Sequence, residues 1–276
     1  MKWEIIHRTQ YAYASPVRDS FNEARLQPFT DEWQKVDHFL LKILPAARLR
    51  HHHDLYSNIV HHFEIAEPHS TLLVESHLQV TTKPRPLLAE TDSPWPLARI
   101  GEAAREARGY EFLQESRFVE LSPEVWRLAL DATENTTDLW QAALAVRRFV
   151  YAHLKYESNS THVHTHTRDV LQEKRGVCQD FAHVMIGMCR VLRIPALYVS
   201  GYLATEKANA THAWVEVFVP DVGWRGLDPT HSRQPDETYV KIAVGRDYAD
   251  VPPVTGAYKG TLERRMDVMV NIRALA

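Results

Sequence analysis

Two cysteines are all this 276-residue sequence contains, Cys178 and Cys189, and that scarcity excludes a disulfide scaffold. If both lie on one helix, ~16 Å of its axis separates them, beyond the ~7 Å Cα separation a disulfide tolerates. Both are then free thiols, which suits a reducing compartment and leaves the sequons at Asn135, Asn159 and Asn209 without meaning for glycosylation. No run reaches the ~18 apolar residues of a membrane span. The first residues, MKWEIIHRTQYAYA, lack the apolar centre of a signal peptide, so a cytoplasmic location is expected. Neither sign of charge dominates: 32 Lys and Arg stand against 35 Asp and Glu, well mixed, for a formal net charge of -3. That balance offers no basic surface to nucleic acid and none to acidic lipid. Internal repeats and low-complexity segments are also missing.

What is present is enough apolar residue, 45% of the chain, to bury a full core in two modest domains. Residues 1–83 alternate apolar and polar in short runs punctuated by Pro, Asn and Asp, which predicts an antiparallel β-sandwich. Residues 84–97 hold four prolines (Pro84, Pro86, Pro94, Pro96) and read as a linker. Over 98–276 helical spacing comes first and strands later, the pattern of an α+β domain. Ser122 followed by Pro123 marks a helix start. The stretch from Cys178 to Leu192 carries Phe181, Met185, Met188 and Leu192 on one face and is stopped by Pro195. ALYVSGYL, HAWVEVFV, WRGLD and DVMVNIRAL follow as strands.

Cys178 follows Gly176 and opens that amphipathic helix. Free N–H groups and the positive end of the helix dipole favour a thiolate there, and the same groups can receive an oxyanion. Gly176 is expected to let a substrate backbone approach closely. Cys189, inside the helix beside Met188, reads as a small buried hydrophobe. His212 begins the strand HAWVEVFV, and Asp228 ends the next short strand with Pro229 behind it. If these strands are neighbours, Asp228 reaches His212 Nδ1 and leaves Nε2 to face the thiol. Nucleophile, base and base-orienting carboxylate are the minimal set for thiol-based acyl transfer.

At these residues the chain resembles the transglutaminase-like superfamily, whose members have a papain-like fold and include many described as cysteine proteases. The matching stretches are RGVCQDFAHVMIGMCRVLRIPALYVSGYL, THAWVEVFVPDVGWRGLDPTH and VGRDYADVPPVTGAYKG. HRTQYAYASPV, LQP and DLYSNIVHHFEI resemble the β domain that precedes this core in bacterial members, with Ser57 standing where glycine is expected. The resemblance implies Cys178 as nucleophile, His212 as base, Asp228 as third triad member, a peptide or protein amide as substrate, and neither cofactor nor metal. Two rivals stand beside it. An arylamine N-acetyltransferase has the same residue order but no preceding β domain. A catalytically inactive peptide-binding module on the same fold has no need of the three residues together.

Other features are read as structural. His162, His164 and His166 share a spacing that suits a transition metal, but no further ligand completes a set, and the stretch is expected to line the cleft. His51–His53, His61 and His62 are expected to face solvent, as is Glu216, and Trp214 to fill the core. Asp180, in the first turn of the Cys178 helix, is read as structural.

Overall fold

The computed structural model describes residues 1–89, 95–106, 109–158, 160–161, 165–204 and 211–275. The N-terminal region is antiparallel β structure: β1 (Lys2–Gln27), β2 (Gln34–Leu44), β3 (Arg50–His53), β4 (Ile59–Ile65) and β5 (His69–Thr82). β1 is long enough to serve two sheets. Its first half pairs with β5, which in turn pairs with β2; its second half pairs with β4, which pairs with β3. The change-over carries a register shift between Ala12 and Val17 and a left-handed Asp19 at φ 49°, a local kink that lets one strand leave one sheet for another. Alternation turns Tyr11, Tyr13, Leu41, Ile43, Leu72 and Val74 of the first sheet toward Ala24, Leu26, Phe63 and Ile65 of the second, and these form one core.

The helical segment comprises α1 (Ile100–Glu106), α2 (Pro123–Thr133), α3 (Leu139–His153), α4 (Thr167–Glu173) and α5 (Cys178–Val191), with the short parallel pair β6 (Lys155–Tyr156) and β7 (Arg175–Gly176) at its centre. Ser122 Oγ accepts from Val125 N at 3.3 Å and Pro123 takes the first helical position, the expected start of α2. Among the described residues no helix is long and apolar enough to cross a membrane.

Four strands complete the second half: β8 (Ala196–Leu203), β9 (Thr211–Val219), β10 (Gly223–Leu227) and β11 (Tyr239–Gly245), in the antiparallel order β10-β9-β8-β11. Ala213, Val215, Val217 and Val219 of β9 join the helical core with Phe181, Met185 and Met188 of α5. Trp214, fully buried, fills a cluster with Leu197, Val199 and Tyr239. The last strands, β12 (Val254–Lys259) and β13 (Arg264–Leu275), return across the molecule to pair with the second and first halves of β1.

The two halves are bolted together along β11. Gln34 donates to Lys241 O at 2.8 Å and accepts from Lys241 N at 2.9 Å. Asn58 does the same at Val244, with 2.7 and 2.8 Å. Two buried carboxamides thus replace the missing neighbour strand at this sheet edge. The turn that aims Asn58 places Ser57 at φ 64°, the left-handed conformation for which glycine is the default.

Candidate active site

Cys178 is the first residue of α5, partly exposed, at a turn whose amides have no acceptor within the helix. Asp180 sets this terminus. Its Oδ2 accepts from Val177 N at 2.7 Å and from Thr161 Oγ1 at 2.6 Å, so the third helical residue caps the helix start from within. Burial pushes the Asp180 carboxyl up, against the pull of those two hydrogen bonds. Gly176 has a different use from the one expected. A Cβ there would stand 2.6 Å from Asp180 Cβ, so the space belongs to the capping carboxylate and not to a substrate backbone.

His212 lies at the start of β9, with Cys178 as one neighbour of its side chain and Asp228 as its hydrogen-bond partner. The contact to the carboxylate is Nε2 to Oδ2 at 2.8 Å, the reverse of the nitrogen assignment expected. The strand register explains it. β10 pairs with β9 as expected, but Leu227 sits opposite Val215, so Asp228 approaches from further along β9 and meets the outer ring nitrogen. Nδ1 is left for the thiol. Burial alone would push the imidazole down, yet its contacts with Asp228 and Cys178 reverse this and lift it to about 10, making imidazolium the resident form at neutral pH.

Asp228 is fully buried and saturated with donors. Oδ2 accepts from His212, from His231 Nδ1 at 2.8 Å and from Tyr239 OH at 2.6 Å. Oδ1 accepts from the amides of Thr230 and His231 at 2.8 and 3.2 Å. Burial alone would push this carboxyl up, but the donors, His212 foremost, hold it well below the usual carboxylate range. Arg233 supports the arrangement, donating to Tyr239 OH at 2.9 Å. The ligand atoms of His212, Asp228 and His231 lie within 4.8 Å of one another, but each is already engaged in this hydrogen-bond network.

The structure therefore brings Cys178, His212 and Asp228 together. Sequence reasoning missed His231 and Tyr239. Asp-Pro-Thr-His does carry a local signal, because an Asp that starts a turn folds its carboxylate onto the next amides and brings the third residue back to it. Tyr239 has no such signal, since β11 supplies it from elsewhere in the sheet. Glu216 was expected at the surface; it is 3% exposed, paired with Lys241 Nζ of β11 at 2.7 Å and with Arg85 of the preceding segment 3.9 Å away. His51–His53 are exposed as expected, whereas His61 is buried. His162 and His164 lie outside the described residues. Cys189 is wholly buried, and burial pushes its thiol up to about 12.

Comparison with known proteins agrees with the resemblance. Residues 127–229, a span that includes Cys178, His212 and Asp228, match the transglutaminase-like superfamily, and residues 3–81 match the bacterial transglutaminase-like N-terminal region. An uncharacterized protein of Mycobacterium leprae is 33% identical over 283 residues, covering 100% of this chain and 99% of that one. A protein-glutamine gamma-glutamyltransferase of Pseudomonas aeruginosa is 32% identical over 102 residues, 32% of this chain and 15% of that protein. The crystal structure of a "Putative Cysteine Protease from Cytophaga hutchinsonii" superposes with a TM-score of 0.81 at 24% identity, covering 100% of this chain and 91% of the other, a likeness of fold. The chain belongs to the transglutaminase-like superfamily, with a bacterial transglutaminase-like N-terminal region ahead of the core.

Proposed function

We propose that this protein is a cysteine-dependent acyl-transfer enzyme acting on an amide of a peptide or protein. The observation that supports this most is the placement of His212 between a partly exposed Cys178 and a saturated, buried Asp228. An imidazolium beside the sulfur and a helix N-terminus beneath it place positive charge where an attacking sulfur and a developing oxyanion need it. The sulfur adds to the amide carbonyl carbon, and the oxyanion is received by first-turn amides of α5. His212 gives its proton to the departing nitrogen as the C–N bond breaks, leaving an acyl-thioester and a neutral imidazole. His212 then takes a proton from the second nucleophile, which attacks the thioester and returns the sulfur. Water in that step makes a peptidase or amidase, and an amine makes a transglutaminase. Asp228 keeps the ring oriented and balances the imidazolium charge throughout.

The gamma-glutamyltransferase relative makes a glutamine carboxamide the first acyl donor to try. The test is a rapid quench of the protein with glutamine-containing peptides, followed by intact-mass and peptide-level analysis. An adduct on Cys178, absent in Cys178→Ala, is the expected result. No adduct with any peptide, together with ordinary iodoacetamide reactivity at Cys178, overturns the reading in favour of a binding module.

A further inference from the structure

β13 is the outer strand of the first sheet. It pairs with β1 along its whole length with no irregularity in register, and among the described residues its other side has no ladder partner. Met266, Val268 and Met269 are 53%, 51% and 49% exposed along it. Edges of this kind are normally blunted by proline, by charged side chains or by a bulge; RRMDVMVNIRAL has no proline, lysine or bulge, and its charges at Arg265, Asp267 and Arg273 are paired within the molecule.

We infer that β13 is the seam of a homodimer, pairing antiparallel with β13 of a second copy about a twofold axis at Val270. A centre on a residue keeps the core faces of both copies on one side of the joined sheet. Charge selects which residue. Centred on Val270, Asp267 lies directly opposite Arg273 of the partner subunit, and symmetry repeats the pair. Arg273 already pairs with Glu4 on the neighbouring β1, and Asp267 pairs with Arg265 at 2.9 Å. The seam therefore carries an alternating row: Glu4, Arg273, then Asp267 of the partner subunit and Arg265 of the partner subunit. The same register sets Val268 against Ile272 of the partner subunit and Met266 against Ala274 of the partner subunit. Moving the centre to Met269 sets Arg265 against Arg273 of the partner subunit, a like-charge clash. Moving it to Asn271 leaves Asp267 opposite an apolar Leu275 of the partner subunit.

Sedimentation over a dilution series of the whole chain tests this, with a monomer–dimer equilibrium expected. Asp267→Arg turns both seam pairs repulsive and weakens the dimer by ~10-fold or more. Register is read separately from a Met269→Cys/Asn271→Cys variant in a Cys178→Ala background. These positions are exposed in the monomer and oppose one another in the dimer, so oxidation yields a covalent dimer joined 269 to 271. Near-UV circular dichroism checks that each variant is folded. A wild type that stays monomeric at every concentration overturns the proposal, as does a dimer indifferent to Asp267→Arg. A folded cysteine variant that dimerises without cross-linking overturns the register.

Discussion

His231 and His212 stand with ring centres 5.1 Å apart and share a single oxygen of Asp228. Asp228 is thus the hub of the site, and the two imidazoles load it unequally, His212 buried and His231 half exposed. Asp228→Asn must place an amide nitrogen where two or three donors converge, and so loses half of its accepting capacity. It is expected to lower the rate of acyl-enzyme formation ~10²–10⁴-fold with the fold intact. His231→Ala removes one donor of three from Oδ2 and is expected to cost only ~3–10-fold, because His231 is half exposed and water can take its place on the carboxylate. Single-turnover acylation rates for both variants check the order. Equal losses would mean that His231 is as necessary to the work of the carboxylate as Asp228 itself.

The two cysteines differ in burial by design of the helix. Cys178 faces an accessible turn beside an imidazolium, whereas Cys189 is enclosed and its thiol is held up at about 12. Iodoacetamide at neutral pH should therefore modify Cys178 alone in the folded protein, and both only after unfolding. Peptide mapping of the carboxamidomethylated protein reads this directly. Equal rates in the folded state would remove Cys178 from the role of nucleophile.

The His212–Asp228 pair also writes a pH signature into stability. His212 rises from an ordinary 6.5 to about 10 on folding, so its contribution is complete below 6.5 and is lost progressively as pH climbs to about 10. Asp228 is depressed from an ordinary 3.8, so its contribution is present above that value and lost as pH falls. Together they stabilise most strongly between those two ordinary values, 3.8 and 6.5. His212→Gln should lower the melting temperature in that window and converge with wild type as pH nears 10. A constant offset across the range would show that His212 contributes packing alone.

What was legible in the sequence was what local chemistry writes. RGVC ahead of an amphipathic run marks the start of α5, Ser122-Pro123 marks α2, and the tight β9–β10 connection makes Asp228 a neighbour of the strand that carries His212. Long-range pairing left no comparable mark. SPVRDSFN, with Pro16 and Asp19, reads as a break, yet β1 runs through it because β4 and β12 hold the second half. Glu216 reads as solvent-facing because nothing local in the sequence shows that Arg85 and Lys241 meet it. The ring nitrogen was misassigned for a related reason, since strand adjacency was legible and the two-residue stagger was not.

The last prediction follows from Gly176 and Asp180, four residues apart across the start of α5. An alanine at 176 puts its Cβ 2.6 Å from Asp180 Cβ and 2.7 Å from Asp180 Oδ2, closer than real carbon contacts. The backbone at the start of α5 and the carboxylate must then both shift, and with them go the hydrogen bonds from Val177 N and Thr161 Oγ1 that square off the helix terminus. Gly176→Ala should cost ~1–3 kcal/mol, as overpacking and a lost cap together do, and it should slow acylation because Cys178 is the next residue but one. Asp180→Asn keeps the acceptor oxygen and the size of the side chain, so it should be much milder in both respects. The decisive variant is Gly176→Ala/Asp180→Gly, read against Asp180→Gly alone, which removes both the Cβ and the Oδ2 contact but not the need for a cap. If crowding is the main cost, the double variant recovers stability relative to Gly176→Ala; if the cap is, it recovers none. Denaturant melts with parallel acylation rates separate the two, and a Gly176→Ala protein with wild-type stability and rate would show that this close packing does not hold the nucleophile in place.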